Sequence, residues 1–522
     1  MATPVTIASA KPALVVGSGL AGLTAAHELL NKYNLSVMLF EKTPKLGGNS
    51  IKASSGINGV NTPQQIAVLK NLEKTHQSKK DSVELFMKDT IKSASQGVLV
   101  GPRKDLLSVF EKSRSTELSN FYNEKLIETL TNNSKDAIGW LTDELELKLN
   151  KVSQLGGHSV ARTHRGENLP PGFEIISTLQ KSLQKFIGKE KSPRLEIVTD
   201  ARVVELVKQK KSTGIDEIVG LKYKVGDNGE ITKVTGPVIL ATGGFAADFS
   251  GESSLLAKYR PDCLQLPSTN GQQSTGDGHK LVQAIGGELM GMQEIQIHPT
   301  GFINPKDPDS KWKILAGEAL RGTGGLLFDS RGKRFINELR TRDKVSSAIF
   351  DIYEKHPTDK QQIVIIMNES GYQEMRMNFD FYMKVGLIQK TSVDEVASKV
   401  FNIPHQRLLD ELTTVNKYIN GEEQDPLGRT VFSKEPFDLS KGADSEIYYG
   451  LITPVIHFTM GGVKIDDHAR VMSESGNAFE GLYAAGEVTS GVHGKNRLGG
   501  SSLLECVVFG KIAAEELSKN LR

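Results

Sequence analysis

Three short apolar runs, each ending in a glycine-rich turn, lie near the start, the middle and the end of this 522-residue chain. The first is Ala13-Leu14-Val15-Val16-Gly17-Ser18-Gly19-Leu20-Ala21-Gly22; a helical run carrying Leu23 and Leu30 comes after it, then a second apolar run, Val37 to Phe40. The next is Val238-Ile239-Leu240-Ala241-Thr242-Gly243-Gly244, and the last is Gly481-Leu482-Tyr483-Ala484-Ala485-Gly486-Glu487. The opening stretch reads as a βαβ unit in which each glycine has a physical reason. Gly17 permits the tight turn, Gly19 lets backbone approach a pyrophosphate, and Gly22 allows close helix–strand packing. The helix N-terminus then faces phosphate charge, and Glu41, nineteen positions after Gly22, is suited to holding a ribose hydroxyl. Strands scattered in this way are the pattern one nucleotide-binding domain shows when another domain interrupts it.

The interruption is legible as a change of pattern. Between Glu294 and Ile456 the chain turns to mixed helices and long polar loops, including Ile303 to Ser310. The expected fold is α/β, a Rossmann-like dinucleotide-binding domain over residues 1–293 and 457–522 interrupted by an α+β capping domain at 294–456. The charged stretch Leu72 to Leu149 reads as surface helices of the first domain. Lysine plus arginine (64) nearly balances aspartate plus glutamate (62), so no global field favours nucleic acid, and selectivity for an anion must be local. Two cysteines, Cys263 and Cys506, stand in no CxxC or CxxCH pattern, which excludes attached c-type haem and thiolate-held iron–sulfur clusters. Met1 to Lys11 lacks signal-peptide layout and no run approaches the roughly eighteen apolar residues of a membrane span, so a cytoplasmic protein is expected.

NAD and FAD both use such a βαβ unit, and the segment after Glu41 discriminates between them. Lys42-Thr43-Pro44-Lys45-Leu46-Gly47-Gly48-Asn49-Ser50 resembles the second glycine segment of FAD-binding flavoproteins, as do the Ala-Thr-Gly-Gly and Ala-Gly-Glu segments further on. More closely, Gly47-Gly48-Asn49-Ser50 through Ala53-Ser54-Ser55-Gly56-Ile57 resembles the flavin-edge segment of the succinate dehydrogenase and fumarate reductase flavoproteins. Membrane-bound members carry the flavin on a histidine there; Asn49 stands at that position, which implies non-covalent FAD. The resemblance gives the cofactor Gly17, Ser18, Gly19, Leu20, Ala21, Gly22, Glu41 and Lys42, then Gly48, Asn49, Ser50, Ser54, Ser55 and Gly56. Later in the chain it adds Val203, Ala241, Thr242, Gly243, Gly244, Asp277, Glu487, Ser502 and Leu503.

Five further segments sharpen the resemblance: Gln296-Ile297-His298-Pro299-Thr300-Gly301, Gly317-Glu318-Ala319-Leu320-Arg321-Gly322, Asn337 to Asp343, His457 to Gly462, and His493 to Gly500. Together they are similar to the active site of soluble fumarate reductases, across the chain from Leu14 to Leu517. Physically, a dicarboxylate needs two anion clamps. Arg497 offers a planar fork for one carboxylate, and His298 and His457 can donate to carboxylate oxygens. Hydride arriving at one alkene carbon leaves carbanion character on its neighbour, which nearby cations stabilise. The resemblance assigns the proton to Arg342, resupplied through Glu318 and Arg321, although acid catalysis normally prefers a pKa nearer ambient pH. It also places Ser55, Gly56, Gly317 and Gly500 against substrate.

Bacterial relatives commonly carry threonine where this chain has Gly317. Another donor or a roomier pocket is therefore expected. Fumarate and succinate are the expected ligands and a small reduced carrier such as free reduced flavin the donor. No haem or iron–sulfur subunit is expected, nor nucleic acid. Cys506 and Met460 are read as packing residues. The readings left open are oxidation of L-aspartate, reduction of another unsaturated acid such as a urocanate-like one, and a flavin redox sensor or electron relay without substrate.

Overall fold

The computed structural model describes residues 11–73, 80–108, 111, 121–187, 194–212, 214, 216–249, 251–357 and 362–521. Most of the Met1 to Lys11 leader and parts of the Leu72 to Leu149 stretch lie outside these residues.

The three sequence-distant apolar runs meet as neighbours in one sheet. From one edge its strands are Leu195–Val198, Val37–Phe40, Ala13–Val16, Val238–Leu240, Ala478–Ala484, Asp216–Val225 and Ala201–Lys210. The first six run parallel, with Val15 opposite both Leu39 and Ile239, and Ile239 opposite Tyr483. Their continuous apolar character follows from burial on both faces: Ala13 to Val16 and Val238 to Leu240 are all buried. Helix Leu20–Asn31 covers one face beside the last helix, Ser501–Leu521. Their close approach needs Gly510, where a Cβ would stand 2.9 Å from Ala21 O.

A second, five-stranded antiparallel sheet begins at Ile295–Phe302, which pairs with the long strand Glu446–Thr459. Ile363–Met367 and Leu326–Phe328 extend it, and Gln389–Ser392 pairs with the free end of the long strand. The long strand itself runs across residue 456. Alternation along Ile363–Met367 sends Ile363, Ile365 and Met367 into one apolar cluster and Val364 and Ile366 into another, so this strand is the spine of the region. Helix Arg342–Lys355 lays Val345 and Ile349 against Ile297 in the first of those clusters.

The helices described within Leu72 to Leu149 are amphipathic, each turning an apolar face onto the core around the parallel sheet as surface helices do. Helix Val83–Gln96 buries Phe86, and Glu124–Asn132 buries Leu126, Ile127 and Leu130. Asp81 and Asp89 bracket Arg162 at 2.7 and 2.6 Å, and that arginine is fully buried. These charged residues serve the interior, where an arginine is tolerated only when paired. Among the described residues no helix is long and apolar enough to cross a membrane.

Candidate active site

A cavity of about 710 Å³ opens along the carboxyl ends of the parallel strands. That is where ligands of open α/β sheets bind. At its first turn Gly17 takes φ +102°, and a Cβ there would stand 2.2 Å from Ala241 O, so two strand ends close on each other only because the residue is glycine. Gly22 packs the helix onto this turn, since its Cβ would fall 1.9 Å from Gly17 O. Ser18 donates from N (3.1 Å) and Oγ (2.6 Å) to Glu41 Oε2, while Thr43 donates from N and Oγ1 to Oε1, both at 2.9 Å. Glu41 is thereby held rigid at the cavity wall. Lys42 Nζ bridges to Asp277 at 3.0 Å beside Val203.

The expected cofactor residues gather here. All of them line the cavity except Gly22 and Gly244, which sit behind it. Gly244 faces Thr459 and Glu487, with its Cβ position 2.1 Å from Thr459 Oγ1. Asn49 is fixed by donating to Asn270 Oδ1 (2.6 Å) and Ser274 Oγ (2.7 Å) and by accepting from Gly271 N (2.9 Å). Its carboxamide has no nucleophilic nitrogen to offer a flavin. Gly243 has nothing within 4 Å of its Cβ position, and the buried Thr242 Oγ1 has no partner among the described residues. Open glycine backbone, a helix N-terminus and a fixed acid suit a dinucleotide, so the residues present fit FAD.

At the other end the cavity meets Arg342, His457, Arg497 and Gly500, with Ser54, Ser55 and Gly56 alongside. Arg342 opens its helix and is buried. Its Nε donates to Glu318 Oε2 at 2.7 Å, NH2 lies 2.6 Å from the same oxygen, and NH1 donates to Gln296 Oε1 at 2.6 Å. Glu318 also accepts from Gly156 N at 2.7 Å. Burial opposes its ionisation, but Arg342 and Arg321 overcome this and hold its pKa down at about 2. Arg321, fully buried behind Glu318 with NH2 4.0 Å from Oε2, is pushed down to about 10 by burial, with Arg342 and Arg429 adding to it.

Arg497 is held differently. Its guanidinium carbon stands 4.3 Å over the Phe458 ring, NH1 makes one long contact to Leu498 O (3.4 Å), and Nε has no hydrogen-bond partner among the described residues. Burial, reinforced by Arg342, lowers its pKa to about 9. A guanidinium spread on an aromatic face without a carboxylate keeps its fork for an incoming anion. Glu487, on the cavity wall nearby, is pushed up to about 7 by burial.

The two histidines face each other with ring centroids 5.1 Å apart. Thr300 N donates to His298 Nδ1 (3.2 Å), which puts the proton on Nε2, and that buried atom has no hydrogen-bond partner among the described residues. His457 Nδ1 lies 2.8 Å from Thr269 Oγ1. Burial and the neighbouring arginines hold both pKa values well below 6.5, so both rings are neutral and each carries a single N–H. Their meeting depends on a β-bulge. Gln296 pairs with Phe458 but Ile297 pairs with Ile456, so His457 is the extra residue and turns to the His298 side.

Behind the cavity wall stand His298, Gly317, Glu318 and Arg321, outside its lining. Gln296 had no assigned role, yet it ties Arg342 to Arg497 by donating from Nε2 to Arg497 O (2.8 Å) and Asn496 Oδ1 (3.1 Å). The signal was present: Gln296 precedes His298 by two, so both share one face of a strand. Phe458 beneath Arg497 was likewise missed; as the neighbour of His457 it carried no charge to draw notice.

The FAD binding domain family matches residues 13–503. Fumarate reductase 1 of Saccharomyces cerevisiae is 44% identical over 98% of this chain and 99% of its own length. The fumarate reductase of Schizosaccharomyces pombe is 38% identical over 98% and 90%. Among solved structures, the open conformation of a flavocytochrome c3 fumarate reductase superposes with a TM-score of 0.68 at 30% identity, covering 98% of this chain and 79% of that one. The chain belongs to the FAD binding domain family, and FAD is its cofactor.

Proposed function

We propose that this protein is a fumarate reductase that binds FAD non-covalently and reduces fumarate to succinate with electrons from a small reduced carrier such as free flavin. The observation that carries the reading is a pair of buried donors left unspent among the described residues, Arg497 Nε on a residue that lines the FAD cavity and His298 Nε2 in the layer behind it, beside the Arg342–Glu318 pair. Two curated relatives that match over nearly the whole chain bear the same name.

Arg497, flat on Phe458, takes one carboxylate on its fork. His457 and His298 donate neutral N–H groups to carboxylate oxygens, which costs no like-charge repulsion with the arginines around them. Bound FAD supplies the hydride. Charge then grows on the adjacent carbon of the substrate, where Arg342 stabilises it and gives it a proton. Glu318 and Gln296 restrict Arg342 to one orientation, so no rearrangement precedes transfer. Resupply runs from Arg321 through Glu318: Arg321, lowered to about 10, yields its proton more readily than an ordinary arginine. The segment 294–456, which contributes Arg342, His298 and Glu318, acts as the cap that excludes water from this carbon.

The test is anaerobic. The purified yellow protein is reduced with dithionite, fumarate is added, and the flavin band is followed while succinate is assayed. Rapid reoxidation with matching succinate is expected; a flavin that stays reduced overturns the reading. Acid precipitation should release the yellow chromophore into the supernatant, and colour retained in the pellet would refute non-covalent binding.

A further inference from the structure

We propose that Ser54, which the resemblance gives to the cofactor, is instead a substrate-binding residue whose hydroxyl donates to a carboxylate of the substrate, and that position 317 is glycine to make room for it. The inference rests on the fumarate reductase reading and refines which residue grips the carboxylate.

Gly317 has φ −54° and ψ 141°, a conformation open to any residue, so its backbone does not call for glycine. Space does. A Cβ at 317 would stand 2.4 Å from Ser54 Oγ and 3.1 Å from Ser54 Cβ. The two positions therefore compete for one volume, and Ser54 occupies it. The hydroxyl placed there is buried and has no hydrogen-bond partner among the described residues. Buried hydroxyls left unpaired are uncommon and call for a reason.

The group nearest to it is the Tyr382 hydroxyl in the same wall, whose proton goes to Leu315 O at 2.9 Å. Ser55 Oγ meets Ala319 N at 3.4 Å. Ser54 lines the cavity together with Arg342, His457 and Arg497. Across the wall, Gly317 is followed directly by Glu318, the carboxylate that holds Arg342. An acceptor bound in this cavity beside Arg342 and Arg497 would find Ser54 as a neutral donor. A hydroxyl that donates to an anion discriminates strongly against a ligand lacking that acceptor, so Ser54 also sets the preference for a second carboxylate.

The experiment compares wild type, Ser54→Ala, Gly317→Ser and the transposed double variant Ser54→Gly/Gly317→Ser, each with FAD content and flavin absorbance recorded beside fumarate kinetics. Ser54→Ala is expected to keep its FAD and lose roughly tenfold to a hundredfold in kcat/KM for fumarate, mostly through KM, the range of one hydrogen bond to a charged group. Gly317→Ser alone should lose at least as much, because it collides with Ser54. The transposed variant, with the hydroxyl offered from the other side, should recover most of the loss. The inference is overturned if Ser54→Ala matches wild type in kcat/KM, if it loses FAD instead, or if the transposed variant is no better than the singles. Failure of the fumarate reductase reading is separate and visible in wild type, which would then turn over no fumarate.

Discussion

Two buried arginine–carboxylate clusters lie back to back across the short helix Glu318–Gly322, and they are built to opposite specifications. On the outer side Glu338 accepts from Leu327 N, twice from Arg334 and once from Arg429, while Asp425 accepts from Arg334, Leu427 N and Arg429 N. Every guanidinium nitrogen of Arg334 and Arg429 has a partner. On the cavity side Arg321 Nε and NH2, Arg497 Nε and His298 Nε2 have no hydrogen-bond partner among the described residues. Burial is similar, and so is residue type. A satisfied cluster fixes the loop through Asp425 and Arg429 to the sheet; an unsatisfied one stores donors for a ligand that completes it. Where the two touch, Arg429 donates to Arg321 O at 2.7 Å, so the structural cluster holds the functional one in place.

The comparison breaks most visibly at Arg342. Arg342→Ala should retain FAD and lose roughly 10²- to 10⁴-fold in fumarate turnover, the range of a lost general acid; substantial residual turnover in a flavin-loaded variant would remove Arg342 from the proton step. Next comes Glu338→Gln on the other side, which should lower unfolding stability by about 3–5 kcal/mol, as breaking a buried ion pair does. The fraction that stays folded should reduce fumarate at nearly the wild-type rate, and a selective loss of kcat without loss of stability would make the outer cluster functional too.

Arg497→Ala should weaken fumarate binding and slow turnover together, by about 2–3 kcal/mol in kcat/KM. Unchanged KM would move the carboxylate clamp elsewhere. The smallest effect is in pH. His298 is held neutral well below 6.5, so unfolding takes up a proton there, and its contribution to stability is constant above about pH 6.5 and falls as pH drops below it. His298→Asn removes that proton. Between about pH 6 and 5 the slope of unfolding free energy against pH should become shallower by up to about 1.4 kcal/mol per unit. An unchanged slope would mean that the ring is charged in the folded protein.

Much of this was readable along the chain. Each glycine turn sits within a few residues of the strand it ends, so local periodicity and spacing located the three runs that become neighbours in the parallel sheet. The residues expected at the cofactor came from those turns and from the resemblance, and all but Gly22 and Gly244 line one cavity. Less legible was part of the charge in the stretch from Leu72 to Leu149. Asp81 and Asp89 carry that charge inward to Arg162, a partner more than seventy residues away that no local pattern announces.

By itself, then, the amino-acid sequence determined the fold class and where its glycine turns lie, because each depends on interactions between near neighbours in the chain. Only the tertiary structure decided which arginine is free and which is spoken for. Arg342 meets Glu318 across 24 positions, and Arg497 meets Phe458 from the far end of the last segment. It also decided that one extra residue in a strand pairing turns His457 toward His298, and that Ser54 fills the space Gly317 leaves. Hydrogen-bond satisfaction is a count over everything packed around an atom, and that count exists only once the chain has folded.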